Sequence, residues 1–144
     1  TMHTACQLGH KFSLITIFDS MISMGHKQVH EYGLNHHLAS VRAVNIPVLE
    51  LLNDLNFTYK KLLKLGQQIV KEDRADAILF GCMTMSFAGL DKKLEDKLGI
   101  PVLNAGRVAL KNAESLISMD ISHSKLTYPY PAKLKIKKLK KRKV

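Results

Sequence analysis

The 144-residue chain has no apolar run of 18 residues, so no segment is long enough to cross a bilayer as a helix. Its start lacks a charged stretch leading into an apolar run, so no signal peptide is expected and the cytoplasm is the expected location. Only two cysteines are present, Cys6 and Cys82, and they form no Cys-x-x-Cys pair. A clustered zinc site is therefore not expected, nor is a disulfide in a cytoplasmic chain. The GxGxxG and P-loop patterns are missing, so Gly89 and Gly106 build no phosphate loop. There is no internal repeat. Acidic residues are absent from 133–143 (KLKIKKLKKRK), which hold eight of the 22 basic residues and so most of the formal +10 charge. The basic character belongs to a tail, and the body is nearly balanced.

What is present suits one domain, with 46% hydrophobic residues to fill a core. Phe12–Phe18 is a short, mostly apolar run that reads as a buried strand. Met21–Tyr32 reads as a helix ended by Gly33. Val41–Ile46 is a second strand stopped by Pro47, and a long helix follows from Asn56, its expected cap, to Glu72. Asp76–Gly81 is a third strand. From Ser86 to Leu98 the residues Phe87, Leu90, Leu94 and Leu98 share one helical face, with Asp91 among the charged residues outside it; Gly99 and Pro101 close this helix. Val102–Asn104 is a fourth strand and Arg107–Ser118 a last helix. Thr1–Gly9 also reads as helical. This alternation predicts an α/β fold, an open parallel sheet with helices on both faces and right-handed crossovers. Prolines at YPYP oppose regular structure, so 126–144 reads as an extended tail.

In open parallel sheets, ligands bind beyond the C-terminal strand ends. Among the residues after each strand, Gly81-Cys82-Met83-Thr84-Met85-Ser86 stands out. Cys82 falls between a buried strand and a helix N-terminus, where unpaired backbone N–H groups and the helix dipole favour a thiolate. Gly81 leaves room for close approach to the backbone, and Thr84 and Ser86 place hydroxyls nearby. From position alone, a reactive thiol and a small buried side chain are equally good readings of Cys82.

The stretch GCMTMSFAGLDKKLEDKLGIPVLNAGRVALKNAESL resembles the segment around the second catalytic cysteine of the aspartate/glutamate/hydantoin racemase superfamily, its hydantoin/allantoin branch in particular. Upstream, LGHKFSLITIFDSM is similar to the strand that opens the family's second lobe, and LASVRAVNIPVLEL to its next strand; SHSKLTYPYP resembles its C-terminal ending. The resemblance implies a cofactor-independent racemase or epimerase acting on a small molecule, hydantoin-like or an amino acid, with two cysteines on opposite faces of the substrate. It assigns Cys82 as one acid/base residue, with Thr84, Met83 and Thr16 as substrate contacts. Met83-Thr84 departs from the Ala-Gly pair common in hydantoin racemases. No residue matches the family's first cysteine, since Cys6 sits in a helix before the first strand. The resemblance therefore implies a second lobe over 1–100, a segment returning to a mostly missing first lobe over 101–125, and the basic tail from 126. It also implies a homo-oligomer.

Other residues carry less. His26 and His30 have metal-like helical spacing, but no carboxylate or cysteine cluster joins them, so no metal site is expected. Arg42 could bind a substrate carboxylate, although its place inside a strand favours a structural ion pair. The tail has no aromatic residue after Tyr130, so neither base stacking nor specific nucleic-acid binding is expected. Two alternatives stay open: an accessory protein that kept a racemase-like fold without catalysis, and a polyanion-binding module acting through the tail.

Overall fold

The computed structural model describes residues 1–130; the basic run at 133–143 lies outside the described residues. Four strands, β1 (Phe12–Thr16), β2 (Leu38–Ala43), β3 (Ala77–Phe80) and β4 (Val102–Leu103), pair in parallel in the order β2-β1-β3-β4. β1, β3 and β4 are buried along their length, as strands covered on both faces are, while the edge strand β2 buries Val41 alone. Helices α1 (Met2–Leu8) and α2 (Ile22–Glu31) lie on one face, where Phe12, Leu14, Ala77 and Leu79 meet Met2, Ala5 and Val29. Helices α3 (Leu55–Gln68) and α5 (Asp91–Leu98) lie on the other, where Ile15, Ile78, Phe80 and Val102 meet Leu62, Ile69 and Leu94. Along β1, β3 and β4 side chains alternate between the two clusters, as period-two geometry requires; in β2 the register shifts after Leu38, so Ala39 packs on one cluster and Val41 on the other.

Several boundaries differ from the sequence expectation. β2 begins at Leu38 and ends at Ala43, because Leu38 pairs with Phe12 while Asn45, at φ 53°, turns the chain out of the sheet before Pro47. Asp54, rather than Asn56, caps α3: its Oδ1 accepts the N–H groups of Asn56 (3.0 Å) and Phe57 (2.9 Å). The long helix closes in a π-turn, Ile69–Asp73, before Arg74 takes the left-handed conformation. The expected single helix over 86–98 is two, α4 (Met83–Phe87) and α5, separated at Gly89 with φ +66°. Gly33 and Gly99 end α2 and α5 in the left-handed conformation, as their positions suggested.

Arg42 is an ion-pair residue. Its Nε and Nη2 reach the two Asp73 oxygens at 2.7 and 2.6 Å, and Nη2 reaches Glu72 at 2.8 Å. The Ser40 hydroxyl donates to Asp73 at 2.6 Å and lies 2.8 Å from the fully buried Ser13 Oγ. This network ties β2 to the π-turn. The Arg42 hydrogen bond holds the Asp73 carboxyl below the usual carboxylate range, against burial, with Ser40 helping.

The chain divides into two compact units, Thr1–Asn112 and the part from Ala113 onward. The first contains the whole sheet; β4, assigned by sequence to the return segment, is hydrogen-bonded to β3. In the second, α6 (Ala105–Ser118) ends where Asp120 adopts φ 57° and the Ile121 N–H returns to Leu116 O at 2.9 Å. Residues 125–127 form a turn rather than extended chain, closed by Tyr128 N–H to Ser124 O at 2.8 Å. No helix among the described residues is long and apolar enough to cross a membrane.

Candidate active site

The strand order locates the site. From β1 the chain moves outward to β2, then crosses back over β1 to enter β3 on its other side. The connections leaving β1 and β3 therefore diverge, and the C-terminal ends of these two strands frame the crevice where open α/β sheets take ligands. Phe80 is the last residue of β3 and pairs with Ile15 of β1, so Gly81 and Cys82 lie at the mouth of that crevice.

Gly81 is required by proximity. Its N–H donates to Ile15 O at 2.8 Å, and a Cβ there would sit 3.1 Å from that same carbonyl oxygen. Cys82 is the N-cap of α4 with extended backbone (φ −129°, ψ 132°). It is partly exposed and packs against the cluster that contains Ile15, Ile17, Phe80 and Met85. The first N–H groups of α4, from Met83 onward, have no acceptor within the helix.

Two contacts anchor this segment to the turn between β4 and α6. The Met83 Cε lies 3.0 Å from where a Cβ on Gly106 would stand, so the methionine packs closely over this glycine. Asn104 Nδ2 donates to Ser86 O at 2.8 Å and approaches Asp91 Oδ1 at 3.4 Å, while its Oδ1 accepts the Arg107 N–H at 3.1 Å. Arg107 Nη1 reaches Asp91 Oδ2 at 2.9 Å. Asp91 is only 2% exposed, contrary to its expected place on the charged face of a helix. A buried carboxylate requires such partners, and neither Asn104 nor Arg107 is near it in sequence.

Thr84, the second residue of α4, is half-buried, and Met83 is exposed beside the thiol. Thr16 differs: it is 5% exposed and alternates onto the Leu14 face of β1, whereas Cys82 packs on the Ile15 face. A cavity of about 250 Å³ opens on that Leu14 side, touching Leu79, Gly81 and Ala105. Cys6 also belongs to that side, packed against the Leu14 cluster, where burial pushes its thiol up. The two cysteines thus pack on opposite faces of the sheet. The Asp19 and Asn45 loops after β1 and β2 are joined by Asp19 N–H to Asn45 Oδ1 (3.2 Å) and Asn45 Nδ2 to Asp19 Oδ2 (3.1 Å). Among the described residues no three His, Cys, Asp or Glu side chains are grouped as metal ligands.

Residues 1–113 match the family described as Asp/Glu/Hydantoin racemase. The chain is 34% identical over 131 residues to a hydantoin racemase of Rhizobium meliloti, covering 90% of this chain and 54% of that protein. It is 32% identical over 134 residues to a hydantoin racemase of Pseudomonas sp. (strain NS671), covering 92% and 53%. Among solved structures it is similar to the allantoin racemase of Pseudomonas fluorescens, with TM-score 0.79 and 34% identity over 92% of this chain and 57% of that one. The allantoin racemase of Klebsiella pneumoniae gives TM-score 0.80 and 31% identity over 86% and 50%. The chain spans about half the length of the curated relatives it matches.

Proposed function

Since this chain belongs to the Asp/Glu/hydantoin racemase family, we propose that it supplies one half of a cofactor-independent racemase site, with Cys82 as one of the two acid/base groups. The observation that carries the reading is the place of Cys82, a partly exposed thiol at the end of β3 where the sheet's connections diverge. The substrate class is a hydantoin-like ring, in keeping with the relatives' names, or an amino acid.

In this reading the Cys82 thiolate removes the proton from a carbon next to a carbonyl. The electron pair left on carbon delocalises onto the carbonyl oxygen, toward the Thr84 hydroxyl. A second thiol then delivers a proton to the opposite face and is left as thiolate. Two groups are needed because one base tends to return the proton to the face it left. Cysteine suits both roles, since its ordinary pKa of about 8.5 makes either protonation state accessible.

Cys6, packed on the opposite sheet face, does not suit the second role. We assign that role to a cysteine outside these 144 residues, in the half of the relatives that this chain does not cover. The 144-residue chain should then exchange the substrate proton with solvent at most slowly, without coupled inversion. Optical rotation and deuterium uptake at the stereogenic carbon, followed together in heavy water, test this. Robust racemisation by the chain alone would refute the two-cysteine scheme.

A further inference from the structure

Ser86 is 5% exposed, and its Oγ has no hydrogen-bond partner among the described residues. A buried hydroxyl without a partner is destabilising, so a fold that keeps one invites a reason. Ser86 stands four residues after Cys82, and its N–H donates to Cys82 O at 3.3 Å, so it lies one turn along from the extended residue that caps α4. Its backbone is held in place by Asn104 Nδ2 on its carbonyl at 2.8 Å, which leaves rotation of the hydroxyl as the remaining freedom.

We propose that Ser86 is a positioning residue for Cys82, its hydroxyl donating a hydrogen bond to the Cys82 sulfur when that sulfur is a thiolate. A thiolate accepts a hydrogen bond far better than a thiol, so the bond forms on ionisation and no proton changes owner. Asn104 acts through Ser86 by fixing its backbone. This rests on the reading of Cys82 as the reacting thiol. The competing role is local and structural: a helical serine hydroxyl turned back onto the carbonyl four residues earlier, here Cys82 O.

The test uses the 144-residue chain with Ser86→Ala and Ser86→Thr. Iodoacetamide labelling of Cys82 and Cys6 is followed at pH 7 by peptide mass, together with thermal melting. Loss of a hydrogen bond to a charged sulfur lowers the thiolate fraction about tenfold, and the higher intrinsic nucleophilicity of a more basic thiolate returns about threefold. Cys82 labelling should therefore slow about threefold in Ser86→Ala while Cys6, in the same molecule, keeps its rate. Removing an unsatisfied hydroxyl should raise Tm by about 3 °C, and Ser86→Thr should restore the labelling rate. Unchanged Cys82 labelling in Ser86→Ala would overturn the proposal. So would an equal slowing in Ser86→Thr, since the hydroxyl would then be irrelevant. The wild-type ratio of Cys82 to Cys6 labelling tests the reactive-thiol reading separately from either variant.

Discussion

Replacing Asp73 by Ala probes whether Arg42 serves the fold or a ligand. The carboxylate receives Arg42 Nε at 2.7 Å, Arg42 Nη2 at 2.6 Å and the Ser40 hydroxyl at 2.6 Å. Side-chain exposure is 28% for Arg42 and 14% for Asp73, so the pair is neither dry nor fully solvated. Charge-assisted hydrogen bonds are worth about 1.5–3 kcal/mol each when removal strands a partner. Glu72 remains on Arg42 at 2.8 Å and water reaches the guanidinium, so the loss should be about 2–3 kcal/mol in total rather than per bond. For a chain of this size that is a fall in Tm of about 6–9 °C. The pH dependence has a definite sign. The folded Asp73 carboxyl lies below its ordinary value because Arg42 hydrogen-bonds its charged form. Its contribution is therefore complete above the unfolded value of about 3.9 and is lost as pH falls through the lower folded value. Differential scanning calorimetry of wild type and Asp73→Ala should show a constant gap from pH 7 down to about pH 4, closing below it. A gap under about 1 °C at pH 7 would refute the structural assignment. An Arg42→Ala variant of full stability that no longer bound a carboxylate ligand would restore the binding alternative.

Gly81→Ala should lower Tm by about 3–6 °C and alter Cys82 labelling, because its Cβ would sit 3.1 Å from Ile15 O and push β3 from β1 at the site; unchanged melting would show that the strands yield freely. Native-state labelling should be faster at Cys82 than at Cys6, whose thiol burial pushes up; equal rates would count against Cys82 as the reactive thiol. Ile117, 77% exposed beside Leu116 and Ile121, is the position at which a charge should weaken self-association, so Ile117→Lys should lower the sedimentation coefficient at high concentration if the expected oligomer uses α6. Truncation after Ala132 should abolish salt-sensitive retention on heparin, which follows from the sequence of the tail alone; retention by the truncated body would move the polyanion-binding surface elsewhere.

The order of strands and helices was legible because each signal is local. Apolar runs mark buried strands, and Gly33 and Gly99 stand where helices need a left-handed residue. The Gly-Cys step after the third apolar run marked the candidate site for the same reason: Gly81 and Cys82 are neighbours in sequence and their roles depend on adjacent backbone. Local signals failed where a distant partner decides. β2 reaches back to Leu38 because Phe12 is there to pair with it, and Asp91 is buried because Arg107 and Asn104 arrive from beyond β4. The face on which each strand-end side chain lies depends on register, so only the folded sheet separates Thr16 from Cys82 and sets Cys6 behind it. Strand composition defines a parallel sheet, but the order β2-β1-β3-β4 is a choice among crossovers of similar local cost. That choice, made by packing helices on both faces, puts Gly81 and Cys82 where the connections leaving β1 and β3 diverge.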